Sequence, residues 1–370
     1  MRAYFSAGLL IIASSLYSQT DSFLHDGIYR SYIVHTPSGW QQGDTVPLVF
    51  NLHGFATTAQ QHQIYTLMDF VADTAGFIVV YPQGVNNTWD FSNLFVDDLG
   101  FIKALIDQMH DDYGIDLNRV YACGMSNGAF MCHMLACKLS QRIAAIASVA
   151  GGMNVLQALT CSPNRPVPVF QIHGTADTLV PYNGSFGVYS VNQLIDHWRS
   201  KDGCSAQVDS FNFPDIVPFD QCTVTSFRWQ TCSDNAEVWL YRVNNGGHTW
   251  PGTFPTIVFG PTNLDIFGSG EIWQFFNRFS LEAEPPPPPS ATGGLLPDTW
   301  RVQPNPASDF IMIEGVPDDA WVSVFTMRGE RILQSKGPQT ISTRDLSPGS
   351  YTVALTHEST SQRSLLVIVK

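Results

Sequence analysis

The sequence predicts an α/β fold built on a mostly parallel central sheet, with a small all-β sandwich behind it. Three observations lead there. Over residues 19–282, short apolar runs alternate with longer stretches whose apolar residues recur every three or four positions. A run of five prolines, Pro285 to Pro289, then interrupts the chain. Beyond it come short runs of period two separated by Gly, Pro and Asp.

Taken in order, residues 32–34, 48–52, 77–81, 120–123, 146–149, 167–172 and 238–243 read as strands. Residues 61–75, 98–113, 127–139, 191–201 and 270–279 read as helices. Strand and helix in alternation give parallel strands with helices on both faces of the sheet. Residues 283–296 cannot build either element, because proline lacks an amide donor and blocks the helical conformation; they form a semi-rigid spacer. In residues 297–370 the runs 310–313, 321–325, 351–355 and 364–369 predict the strands of a β-sandwich carrying no catalytic set.

The N-terminus has the parts of a secretory signal peptide over residues 1–18: Arg2, the apolar stretch from Ala7 to Ala13, then small and polar residues. A net charge of −13 argues against tracking phosphate, so nucleic acid is excluded as a partner. Seven cysteines fit an oxidising compartment and leave at least one thiol unpaired. The expected pairs are Cys204 with Cys232 and Cys137 with Cys161, and Cys123 reads as a small core residue. The spacing of Cys and His suits no metal.

The chemistry centres on Gly124-Met125-Ser126-Asn127-Gly128, between a strand and a helix. Glycines two residues either side of Ser126 allow a crowded turn that lifts the hydroxyl above the sheet. Asp177 follows the strand 167–172, and His248 follows the strand 238–243 within Gly246-Gly247-His248-Thr249-Trp250. The order Ser, Asp, His is that of α/β-hydrolases. Ser126 is therefore expected as nucleophile, His248 as base and Asp177 as the acid that orients it. The amides of Phe55, after Leu52-His53-Gly54, and Asn127 are expected to form an oxyanion hole. Trp250 is expected to wall the substrate, with core packing as its alternative. Asp97 and Asp98 are rival carboxylates, and His53 and His173 read as supports for their loops. No metal or organic cofactor is called for.

These motifs, with Val96-Asp97-Asp98-Leu99-Gly100-Phe101-Ile102, Arg119-Val120-Tyr121, His173-Gly174-Thr175-Ala176-Asp177 and Val180-Pro181-Tyr182, resemble the polyhydroxybutyrate depolymerase and feruloyl esterase group of secreted α/β-hydrolases. The resemblance spans residues 25–282 and implies a triad at Ser126, Asp177 and His248. It also implies polyester, hydroxycinnamoyl or acetyl-polysaccharide esters as substrates. Ala129 stands where members commonly carry a second glycine, and residues 211–229 match nothing in the group. The tail, with Val302-Gln303-Pro304-Asn305-Pro306 and Asp345-Leu346-Ser347-Pro348-Gly349, resembles the sorting domain of type IX secretion. That implies a secretion machinery as partner and a secreted or surface-attached product. The expected function is a secreted serine carboxylic-ester hydrolase. The alternatives are an acetyl-xylan esterase on the same fold and a non-catalytic surface-attached binding protein.

Overall fold

Six parallel strands form the middle of a ten-stranded sheet in the computed structural model of the protein. The structure describes residues 18–254, 259–281 and 301–368, without 304–309, 315, 327–330, 338, 345, 347–348 and 358–359. The expected signal peptide and proline spacer lie outside the described residues, apart from Ser18. The strands are β1 (Gln19–His25), β2 (Ile28–His35), β3 (Leu48–Leu52), β4 (Ile78–Pro82), β5 (Val120–Met125), β6 (Ala145–Val149), β7 (Val169–Gly174), β8 (Asp209–Asn212), β9 (Thr223–Trp229) and β10 (Val238–Asn244). Their spatial order is β1-β2-β4-β3-β5-β6-β7-β10-β9-β8, and only the pairs at the two ends are antiparallel.

Side chains alternate across this sheet and divide the core in two. Leu48, Phe50, Leu52, Val120 and Ala122 face one way, beneath α3 (Asp98–Tyr113), α4 (Asn127–Lys138) and α6 (Val191–Lys201). Val49, Val79, Tyr81, Tyr121 and Cys123 face the other, beneath α2 (Met68–Ala75) and α7 (Gly268–Phe276). Because both faces are covered, the central strands are buried along their whole length and read in sequence as unbroken apolar runs.

All seven strands expected before the spacer are present, but one expected helix is two. Residues 61–75 divide into α1 (Ala59–Thr66) and α2 at Leu67, whose φ of 56° is left-handed and ends the first helix. The polar strands β1, β8 and β9 and the short α5 (Val155–Thr160) escaped the sequence reading. β1 and β8 are sheet-edge strands with mostly exposed side chains, so they lack an apolar run. Both expected disulfides are formed, Cys137–Cys161 and Cys204–Cys232, leaving Cys123, Cys132 and Cys222 as buried thiols.

The tail is a pair of antiparallel sheets. One holds β11 (Arg301–Gln303), β12 (Phe310–Glu314) and β15 (Gln339–Ser342); the other holds β13 (Trp321–Thr326), β14 (Arg331–Lys336), β16 (Gly349–His357) and β17 (Thr360–Ile368). Ile311, Ile313, Val322, Val324, Ile341, Val353 and Leu355 fill the space between them.

The turn from β5 to α4 is held by backbone packed on backbone. A Cβ on Gly128 would stand 2.2 Å from the Leu52 carbonyl oxygen, and one on Gly124 would stand 2.8 Å from that same atom and from the Gly128 carbonyl carbon. Neither neighbour can retreat, because Leu52 sits in the sheet. Ala129 is accommodated by a matching loss: Gly151 lies against it, where a second Cβ would fall 2.4 Å from that of Ala129. Gly128→Ala is therefore expected to destabilise the fold by about 3 kcal/mol or more, at the upper end for overpacking, measured as a shift of the thermal midpoint.

Candidate active site

Ser126 leaves β5 with φ 55° and ψ −121°, a conformation that L residues rarely adopt. Its amide donates to the Val149 carbonyl at 2.9 Å and its carbonyl accepts from Phe130 at 3.1 Å, so the backbone is fixed on both sides. It occupies the N-cap of α4, yet its side chain makes no capping hydrogen bond. Serine at an N-cap normally gives its oxygen to the next turn. Here the strained backbone turns the hydroxyl away from that use.

Asp177 and His248 arrive from neighbouring parallel strands. β7 pairs with β10, with Gly174 opposite Val243, so Asp177 and His248 emerge from the same sheet edge. His248 Nδ1–H donates to Asp177 Oδ2 at 2.7 Å, with the carboxylate fully buried and the imidazole nearly so. The other carboxylate oxygen accepts the amides of Leu179 and Val180 at 2.9 and 2.8 Å. Burial by itself would raise the Asp177 carboxyl; hydrogen bonds from His173, His248 and the Val180 amide outweigh it and hold the group well below the usual carboxylate range. The His248 loop is fixed by its own amide on the Phe259 carbonyl at 2.7 Å and by Gly247 on Pro261 at 2.8 Å.

Two amides are turned outward beside the serine. The Gly54 carbonyl accepts from His53 Nδ1 and from the Thr57 hydroxyl, both at 2.8 Å. A trans peptide sets its N–H opposite its carbonyl, so the Phe55 amide points the other way. Asn127 is the first residue of α4, where an N–H has no partner within the helix. Among the described residues neither amide donates to a protein group. The Asn127 side chain has separate work that the sequence did not signal: its oxygen accepts the Trp89 amide at 2.6 Å and its nitrogen donates to the Trp89 carbonyl at 3.2 Å, tying the loop after β4 to the serine turn.

The remaining expectations divide. His53 supports its loop as expected, with Nε2 accepting the Gly84 amide at 2.9 Å. The rival acids are committed elsewhere, Asp98 to Arg30 at 2.5 Å and Asp97 to the cap of α3 and to His25. Trp250 is corrected from substrate wall to core residue. It is 0% exposed, its ring nitrogen donates to Ser269 and its ring meets His62 edge-on, so no surface is left for a ligand. Among the described residues no cluster of His, Cys, Asp or Glu could hold a metal ion.

Several known proteins are similar to this chain. The bifunctional acetylxylan esterase/xylanase XynS20E of Neocallimastix patriciarum is 29% identical over 282 residues, covering 75% of this chain and 37% of its own. Feruloyl esterase B of Piromyces equi is 26% identical over 270 residues, covering 68% of this chain and 46% of its own. The chain thus spans less than half the length of these two relatives. An acetyl xylan esterase structure from Aspergillus awamori superposes with a TM-score of 0.46 at 15% identity, over 62% of this chain and 94% of that one. Residues 83–208 match the phospholipase/carboxylesterase family, and residues 301–369 match the secretion system C-terminal sorting domain. The chain therefore has the α/β-hydrolase fold, in which residues 83–208 are similar to the phospholipase/carboxylesterase family and residues 301–369 to the secretion system C-terminal sorting domain.

Proposed function

We propose that the chain is an exported serine carboxylic-ester hydrolase working through Ser126, His248 and Asp177. The observation that carries the reading is the buried 2.7 Å hydrogen bond from His248 to Asp177, at the sheet edge where Ser126 is held in a left-handed turn. With the Nδ1 proton committed to the carboxylate, Nε2 keeps its lone pair and can act as base. Nε2 takes the Ser126 proton as Oγ bonds to the ester carbonyl carbon. The amides of Phe55 and Asn127 receive the negative charge that develops on the carbonyl oxygen. The imidazolium then gives its proton to the leaving alcohol, and water repeats the sequence on the acyl-enzyme.

The substrate we assign is an ester with an apolar or aromatic portion, as in hydroxycinnamoyl esters of polysaccharides or short hydroxyalkanoate polyesters. Loops after β3, β4 and β7 carry exposed Phe55, Phe95 and Leu179, with Phe95 88% exposed. Large apolar groups held in water on loops at the same end of the sheet as Ser126 suit a ligand that covers them. Acetyl-xylan hydrolysis at the same site is the second reading, favoured by the acetylxylan esterase named among the relatives. The tail would deliver the enzyme to a type IX secretion machinery, giving a secreted or surface-attached product.

The purified chain is expected to release p-nitrophenol from p-nitrophenyl acetate with an initial burst. A serine-reactive phosphonate should abolish turnover, and Ser126→Ala should lower kcat by about 10⁴ or more. Retained turnover in that variant would overturn the reading. Rates on methyl ferulate, hydroxybutyrate oligomers and acetylated xylan separate the substrate classes, with the first two expected to exceed the third. Asp177→Asn should also show the cost of the acid through pH. The folded carboxyl lies below its ordinary value of 3.8, so its ionised form contributes stability in full above about pH 4 and loses it as pH falls through the folded value. The gap in thermal midpoint between wild type and Asp177→Asn is expected to be widest above pH 4 and to close below it.

A further inference from the structure

We propose that Gln171 and His173 are positioning residues for the acid of the site: Gln171 sets the tautomer of His173, and His173 holds the Asp177 turn in the shape that receives His248. The proposal rests on the triad reading above. Gln171 is a polar side chain with no exposed surface in the middle of β7, two residues before His173. A purely apolar strand would fill that position without leaving polar atoms to satisfy.

The protons along this path follow from which atoms can only accept. Gln171 Nε2 lies 2.9 Å from the Gly151 carbonyl, which has no hydrogen to give, so the amide nitrogen and not the amide oxygen must face it. The second hydrogen on the same nitrogen points to His173 Nδ1, also at 2.9 Å. Nδ1 must therefore present its lone pair, and the ring proton sits on Nε2. The far side of the ring gives the same answer independently. His173 Nε2 lies 2.8 Å from the Val180 carbonyl, another atom that only accepts, and 3.5 Å from Asp177 Oδ2.

Val180 makes the ring matter to the acid. Its amide donates to Asp177 Oδ1 at 2.8 Å, while its carbonyl receives the His173 proton. The turn from Asp177 to Val180 is thus closed from both ends, by the carboxylate gripping amides and by the imidazole gripping the carbonyl. Tyr182 meets the His173 ring edge-on and limits its rotation. Behind Gln171 the pattern continues. Trp198 Nε1–H donates to His133 Nδ1 at 3.1 Å, which places the His133 proton on Nε2. That nitrogen and Gln171 Oε1 are both buried without a direct partner. Donors therefore run one way from Gln171 through His173 to the turn that carries Asp177.

The test uses the full chain with four substitutions, Gln171→Met, Gln171→Glu, His173→Phe and His173→Gln, beside Ser126→Ala. His173→Phe is expected to lower kcat on p-nitrophenyl acetate about ten- to a hundredfold, the usual loss when an outer hydrogen-bond partner is removed, with KM changed by less than about twofold. His173→Gln keeps an N–H near the place of Nε2 and should recover most of the loss. In wild type, ¹⁵N NMR of the His173 ring should show the proton on Nε2. Gln171→Glu replaces a donor by an acceptor and should move that proton to Nδ1 with a matching fall in kcat; Gln171→Met should lower kcat without inverting the ring. A wild-type ring protonated on Nδ1 overturns the proposal whether or not any variant folds. So does unchanged kcat in all four variants while Ser126→Ala is inactive. An active Ser126→Ala would instead remove the triad reading itself, a result separate from the ring's proton.

Discussion

Parallel pairing of β7 with β10 is the constraint on which the site depends. Asp177 and His248 stand 71 positions apart in sequence, and each follows its strand by only a few residues. Two strands in parallel register end on the same edge, so the following loops meet there without either having to reach. The meeting is close enough to exclude side chains. A Cβ on Gly174 would stand 2.2 Å from the Gly246 carbonyl oxygen, and one on Gly247 would stand 2.1 Å from that of Phe259. Glycine at 174 is a consequence of how tightly the Asp177 and His248 loops are stacked, and glycine at 247 of how closely the His248 loop lies on the segment at Phe259 and Gly260. Thr175 and Ala176 then donate their amides to Val243 and Gly246, both at 2.9 Å, which stitches one loop to the other.

The same edge solves opposite electrostatic problems at its two ends. Around Asp177 a negative charge is buried, and donors converge on it: two amides, His248 and, at longer range, His173. Around Phe55 and Asn127 no charge is present in the resting protein, and the donors are left facing outward. The first arrangement keeps a carboxylate ionised against burial. In the proposed mechanism the second would hold dipoles oriented before a charge arrives, so that no reorganisation is needed when it does. Both rely on carbonyls being pinned, Gly54 by His53 and Thr57 in one case and Val180 by His173 in the other.

How far the sequence revealed this depended on burial. Central strands, lined with apolar side chains on both faces, announced themselves as runs such as Leu48-Val49-Phe50, and the pentapeptide around Ser126 carried its own geometry in Gly124 and Gly128. Edge strands did not: β8 exposes all four of its residues and offers no apolar signal. The break at Leu67 was equally silent, since leucine is an ordinary helix residue and nothing in its type marks the left-handed conformation it takes. Trp250 misled for a related reason. Its position beside His248 suggested contact with a ligand, but sequence neighbours on a tight loop point in different directions, and this one points into the core. Both disulfides were legible because each closes a local excursion, with separations of 24 and 28 residues.

Polar residues inside the sheet were the part least visible beforehand, and they help explain how the strained backbone at Ser126 is tolerated. Ser126 at φ 55° stores strain that the surroundings must offset. Gly151, whose carbonyl accepts from Gln171, is also the residue that makes room for Ala129 one turn after the serine. Gln171 therefore touches both halves of the site, the serine turn through Gly151 and the acid turn through His173. Replacing it with an apolar residue of equal volume would leave the Gly151 carbonyl buried without a donor, at a cost of about 1–3 kcal/mol. That penalty would fall beside Ser126, whose backbone is already in a disfavoured conformation. A buried amide at this position is thus better understood as joining the Ser126 turn to the Asp177 turn than as an isolated polar residue in an apolar strand.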